Sequence, residues 1–262
     1  MAGEIKREIQ ARLQHIEREE NVCIFYACES GSRAWGFPSE DSDYDVRFMY
    51  MHSKDWYLSI DERRDVIERP INDMIDLSGW DIRKALRLFG KSNPPLLEWL
   101  NSPIIYQQRL DIVDKIKALV PEYYSSKSCL CHYLHMAEGN FREYLKGQMV
   151  LVKKYFYVLR PILACKWIEA GYGFVPMEFK VLVDHIIEFG ELKVAIEELL
   201  WRKRGGQELG VVPRIPVISE FIKTEIERLG SKKLDGNNVK PDTEKLDELF
   251  RSALKILPFD TE

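Results

Sequence analysis

The stretch from Cys28 to Tyr50, CESGSRAWGFPSEDSDYDVRFMY, places two aspartates one residue apart at the head of an apolar run, eleven residues after a Gly-Ser pair. The preceding residues, NVCIFYACES, are dense in Val, Ile, Phe and Tyr and end at Ser30-Gly31, which reads as a buried strand closed by a turn. DYDVRFMYM alternates and reads as a second strand. On a strand, residues i and i+2 share a face, so Asp43 and Asp45 point one way while Tyr44 and Val46 point the other. Two carboxylates held side by side repel unless positive charge lies between them. A hard divalent cation such as Mg²⁺ meets that need, with carboxylate and phosphate oxygens as its usual ligands. A helical turn after the first strand would turn its N–H groups and the Ser32 hydroxyl toward an anion, and Gly31 lets phosphate come close to the backbone. Each piece alone has a plainer reading, a turn and a solvated strand edge. Their combination is more specific.

The rest of the chain bounds the function. Its 262 residues, 45% hydrophobic, can bury a substantial core in one large or two modest domains. No N-terminal segment has the pattern of a secretion signal and no apolar run nears the roughly 20 residues that span a bilayer. The expectation is a soluble, cytoplasmic protein with no membrane partner. Five cysteines, an odd number, read as reduced thiols. Cys129 and Cys131, followed by His132 and His135, lie about 200° apart on a helix, a poor spacing for zinc. The net charge of −4 gives no whole-protein case for nucleic acid, but residues 121–170 hold seven Lys or Arg against four Asp or Glu, a local +3.

Residues 3–19 carry Ile5, Ile9, Leu13 and Ile16 at helical spacing. RRDVIER and NDMIDLSGW read as two strands about the Pro70 turn. DIRKALRLFG reads as a helix with Asp81 as its cap and Gly90 as its stop, and KSNPPLLEWLNSP starts another behind Ser92 and Asn93. From about residue 110 the pattern is helical almost to the end. This predicts a catalytic α/β domain over 1–110, with a short mixed sheet, and an all-helical domain over 111–262 that closes the cleft. GSKKLDGNNVKPD reads as a partly mobile linker before a terminal helix.

The apolar strand, Gly31-Ser32, the spacing to Asp43 and the D-x-D pair together resemble the signature of the DNA polymerase β-like nucleotidyltransferase superfamily. The longer wording, GSRAWGFPSEDSDYDVRF with DLSGWDIRKAL, KSNPPLLEWLNSP, KKYFYVLRPILA and PMEF, resembles its YcgL or RlaP-like subgroup over nearly the whole chain. The resemblance implies that Gly31 and Ser32 grip the terminal phosphates of a nucleotide and that Asp43 and Asp45 hold two ions, Mg²⁺ or Mn²⁺. It also implies a third carboxylate on a later strand. In NDMIDLSGWD the period of two buries Ile75 and Leu77 and leaves Asp76 on the other face. Asp76 is therefore preferred to Asp81, which looks like a helix cap, and to Asp73, which falls at a turn.

Lys153, Tyr157 and Arg160 share one face of an otherwise apolar helix, with nucleotide phosphate, solvent or a carboxylate as their counterpart. Arg33 reaches either a phosphate or its own loop. Trp35, Phe37 and Trp80 read as core rather than as platforms for a base. Pro161 frees the Tyr157 carbonyl. The activity so implied is two-metal transfer of a nucleoside monophosphate from an NTP such as ATP to an acceptor hydroxyl, with release of pyrophosphate. An RNA end, in RNA repair, is the leading acceptor. A small molecule, a protein side chain, or a non-catalytic nucleotide-binding regulator are the alternatives. The sequence carries no signal for the base selected or for oligomeric state.

Overall fold

The computed structural model describes residues 2–206, 210–232 and 242–256. The expected mobile linker lies outside the described residues over 233–241. In chain order the elements are helix α1 (Ala2–Glu20), strand β1 (Cys23–Glu29), a helical turn α2 (Gly31–Ala34), β2 (Tyr44–Met51), a turn α3 (Lys54–Tyr57), β3 (Val66–Asn72) and β4 (Ile75–Asp81). Then come α4 (Ile82–Gly90), α5 (Pro94–Leu100), β5 (Ile105–Gln108), α6 (Ile112–Ala118), α7 (Val120–Tyr123), α8 (Ser126–Tyr144), β6 (Met149–Leu151) and α9 (Val152–Glu169). The chain continues through α10 (Phe179–Ile186), α11 (Glu191–Arg204), β7 (Val211–Pro213), α12 (Pro216–Ser231) and α13 (Glu244–Lys255). None of the described helices is long and apolar enough to cross a membrane.

Two compact units result, one of Met1–Gly31, Asp43–Tyr124 and Val239–Glu262, the other of Ser32–Ser42 and Ser125–Asn238. The first is α/β, built on a mixed sheet of five strands in the order β3-β4-β2-β1-β5. Only the β2–β4 pair is parallel. On one face, Ile9, Leu13 and Ile16 of α1 form a single core with Val46, Phe48, Ile75 and Leu77. Those residues are the apolar halves of the period-3.6 and period-2 patterns, so burying them turns the alternate residues of β2 and β4 to the opposite face. There Trp80 stacks on Trp99 of α5 with ring centroids 3.8 Å apart. The Tyr26 hydroxyl donates to the Trp99 carbonyl at 2.6 Å. On the α1 face, Gly79 makes room for the Phe48 ring, from which a β-carbon would stand only 2.1 Å. Asp81 caps α4 by accepting from the Arg83 amide, and Asn93 caps α5 ahead of Pro94.

The sequence reading cuts the chain at residue 110, whereas the units part at Tyr124 and Ser125. Helix α6 stays with the sheet through buried Ile112, Val113 and Ile116. Helix α13 also returns to the first unit, where Leu246, Leu249 and Ala253 are buried and Phe250 meets the Tyr57 ring edge-on at 5.0 Å. Four-residue β5 carries too little periodicity to be read from sequence.

The second unit is mainly helical and adds a small ribbon of β6 paired with β7. Pro161 lies inside a continuous α9. The carbonyl it frees, that of Tyr157, accepts instead from the Asn140 side-chain amide at 2.9 Å. The segment between the Gly-Ser pair and the aspartates packs into this unit. Phe37 is 2% exposed. It stacks on Phe156 at 4.6 Å and meets Phe179 edge-on at 5.5 Å.

Candidate active site

Strand β1 is buried along its whole length, and its last residue, Glu29, is fully buried. A buried carboxylate must find donors. Glu29 accepts the Asp45 backbone N–H at 2.7 Å and the Tyr106 hydroxyl. The Ser30 N–H donates to the Asp45 carbonyl at 2.8 Å. The end of β1 is thus bonded to both backbone groups of Asp45. Directly after it, Gly31 has φ +55° and leaves the space that the Asp45 carboxylate occupies.

In the parallel β2–β4 ladder, Asp45 is the Cα partner of Asp76 and Arg47 that of Ser78. All four side chains fall on the face away from α1, and Asp45, Arg47 and Asp76 are half-buried there. Nη2 of Arg47 donates to Asp45 Oδ1 at 3.1 Å and to Asp76 Oδ2 at 2.8 Å. Its Nη1 donates to the Val46 and Asp76 carbonyls at 3.2 and 3.3 Å. The two carboxylates therefore converge on one point, and a cation already stands there. Asp43 is placed differently from its sequence reading. Strand β2 begins at Tyr44, so Asp43 lies exposed just ahead of it, after the Ser39–Ser42 turn. Among the described residues no three His, Cys, Asp or Glu converge closely enough to hold a metal as they stand. Hard carboxylate oxygens aimed at a shared positive charge nevertheless suit a divalent ion.

The other carboxylates weighed as third ligand have structural partners. Asp81 is fully buried, accepts from the Tyr57 hydroxyl at 2.7 Å and caps α4, and its burial raises its pKa. Asp73 is exposed and pairs with Arg12 at 3.1 Å.

A family model described as "RlaP: RNA repair pathway DNA polymerase beta family" matches residues 5–252. The chain belongs to that family. The curated relative YcgL of Bacillus subtilis (strain 168), described as an uncharacterized protein, is 54% identical over 225 residues, which is 86% of each chain. A solved nucleotidyltransferase-like protein from Exiguobacterium sibiricum 255-15 is 12% identical, with 92% of this chain and 87% of that one covered at a TM-score of 0.29.

In this RNA repair pathway polymerase beta family member, Ser32 is half-buried in turn α2, and its carbonyl accepts the Phe37 N–H at 3.1 Å. Arg33 donates to the Ser42 carbonyl at 2.7 Å, tying the two ends of the 32–42 segment together. Of the helical strip, Tyr157 lies at the surface with its ring edge-on to Trp35, and Lys153 is half-buried. Arg160 is not on that surface. It is 2% exposed, lies 4.9 Å from the Trp35 ring centroid and donates to the Met177 carbonyl at 3.4 Å. Its counterpart is an aromatic face and backbone oxygen, which accounts for a cation in so apolar a helix.

Two further residues, Arg47 and Glu29, bear on the site in this family member, and a third, Lys203, ties down the 32–42 segment. Arg47 could have been found by the period-2 argument that paired the aspartates, since it lies two residues beyond Asp45. Glu29 had one signal, a carboxylate ending an apolar strand. Lys203, 4% exposed, donates to Ser42 Oγ at 3.0 Å and Ser39 Oγ at 3.2 Å. More than 160 residues separate these partners, so no local pattern announces the contact.

Proposed function

We propose that the protein is a metal-dependent nucleotidyltransferase that moves a nucleoside monophosphate from an NTP to the hydroxyl of an RNA end, releasing pyrophosphate. One observation carries this reading: the Asp45 and Asp76 carboxylates converge on a shared cation beside the space left by Gly31. Asp45 and Asp76 would hold divalent ions, Mg²⁺ or Mn²⁺, with Asp43 as the further ligand. Bound there, such ions supply charge neutralisation on the phosphates and a more acidic acceptor hydroxyl. Ser32 donates its hydroxyl to a phosphate oxygen, and Glu29 fixes the backbone of Asp45 through the Asp45 N–H. The work asked of these side chains is positioning and charge placement, so no Cys or His nucleophile enters. Lys153 and Tyr157 remain proposed phosphate contacts, while Arg33 and Arg160 are assigned to holding the 32–42 segment and its aromatic packing. An RNA acceptor is supported by the family's description and by the local +3 charge of residues 121–170.

The test is incubation with each α-labelled NTP, Mg²⁺ or Mn²⁺, and a mixture of cellular RNA and protein. Label in the RNA fraction, dependent on Asp45 and Asp76, is the expected result. Label confined to protein or to a small molecule would reassign the acceptor, and no label with any nucleotide would overturn the activity.

A further inference from the structure

The Arg47 guanidinium occupies the point on which the two carboxylates converge. Without it, Asp45 and Asp76 would place two negative charges on neighbouring strands in a half-buried setting, where they repel each other. With Arg47 between them the cluster carries a formal net charge of one negative unit, and the guanidinium also donates to the Val46 and Asp76 carbonyls. A divalent ion drawn to the same oxygens therefore meets a cation already bonded to both. Metal and guanidinium cannot share Asp45 Oδ1 and Asp76 Oδ2 without strong like-charge repulsion at contact distance.

We propose that Arg47 is a built-in competitor for the metal, keeping the site closed to divalent ions until a polyanionic ligand draws the guanidinium away. This inference rests on the metal-dependent reading above and specifies how that site is regulated. Space for the displaced side chain exists beside it. Arg47, Asp76 and Ser78 line an open groove of about 520 Å³ together with Arg64, Glu68 and Arg69. Arg64 pairs with Glu68 and Arg69 with Glu19 and Glu20, so in this groove the positive charges other than Arg47 already have carboxylate partners. Arg47 is the member whose own partners are the proposed metal ligands. A nucleotide triphosphate supplies what the exchange needs, since its phosphates compensate the charge that an arriving metal adds and offer the freed guanidinium a bidentate acceptor. Metal and nucleotide then favour each other's binding, and thermodynamic reciprocity requires the effect to run both ways.

The deciding measurement is Mn²⁺ affinity of the full chain without nucleotide, by calorimetry and by the loss of the free-Mn²⁺ EPR signal. Arg47→Gln should bind Mn²⁺ at least tenfold more tightly than wild type, and added nucleotide should tighten Mn²⁺ binding in wild type much more than in the variant. Arg47→Lys keeps the charge but replaces the planar fork with a single ammonium, and should fall between the two. It also serves if Arg47→Gln folds poorly, as judged by circular dichroism. Equal or weaker Mn²⁺ affinity in both variants, with binding abolished by Asp76→Asn, would overturn the competitor role and leave the metal site standing. Absence of Mn²⁺ binding to wild type and to both variants, with and without nucleotide, would instead remove the metal reading and this inference with it.

Discussion

A β-carbon on Gly31 would stand 1.9 Å from Oδ2 of Asp45. The two motifs of the opening stretch are thus not merely near each other. The turn after β1 can exist only because its first residue has no side chain, and the carboxylate of β2 fills the space so vacated. Gly31→Ala must either leave φ +55° or push Asp45 aside. It should lower stability by about 1–3 kcal/mol, the scale of a non-glycine residue held in a left-handed conformation with added crowding. Urea denaturation checks this, and in an Asp45→Ala background part of the loss should disappear because the clashing atoms are gone. An undiminished, fully active Gly31→Ala protein would refute the close packing.

Carboxylate substitutions should separate the three later aspartates. Asp76→Asn is expected to reduce transfer to less than about one hundredth of wild type, the effect of removing a main electrostatic group from a reacting centre. Asp81→Ala should instead cost about 1–2 kcal/mol of stability through loss of the α4 cap, with activity per folded molecule retained. Asp73→Asn removes only an exposed pair with Arg12 and should change neither. Parallel thermal melts and labelled-NTP assays read all three, and an active Asp76→Asn would move the third carboxylate elsewhere.

Lys203 should matter to the 32–42 segment despite lying far along the chain. Its ammonium is buried against Ser39 and Ser42, so Lys203→Ala leaves buried hydroxyls with fewer donors and should destabilise the protein by about 1–3 kcal/mol. Limited proteolysis should then cut within residues 32–42 faster than in wild type. Unchanged cleavage and stability would mean that Lys203 does not hold the segment, leaving that to the Arg33 bond and the packing of Phe37.

His52 predicts an acid sensitivity. Its ring is buried and stacked on Trp56 at 3.9 Å, and burial, helped by Arg63 and Arg83, lowers its pKa from 6.5 to about 4. Between those values the unfolded chain takes up a proton that the folded protein refuses. Stability should be fully present above pH 6.5 and fall as pH drops toward 4, by up to about 1.4 kcal/mol per pH unit from this group. Urea midpoints measured across that range should fall less steeply for His52→Gln. Identical slopes for the two proteins would show that His52 does not carry the effect.

Local repetition made much of this protein legible from its residues. The stripe of Ile9, Leu13 and Ile16, the alternation of Ile75, Asp76 and Leu77, the caps at Asp81 and Asn93 and the vacancy created by Pro161 all follow from backbone periods of 3.6 and 2 and from missing or spare hydrogen bonds within a few residues. The same periodicity put Asp45 and Asp76 each on the face of its own strand opposite Val46 or Ile75 and Leu77. What it could not do was join them. That step needed the parallel register of β2 with β4, which pairs residues 31 positions apart and brings Arg47 between their carboxylates. Register is chosen by the buried face against α1, because a slip of one residue would turn Val46, Phe48 and Tyr50 away from that core. The same reasoning covers the buried Glu29 behind Asp45, the return of α13 to the sheet unit and the docking of Phe37 against Phe156. Each depends on surfaces complementary in shape and charge that lie far apart in sequence and acquire a meaning only when the chain has closed on itself.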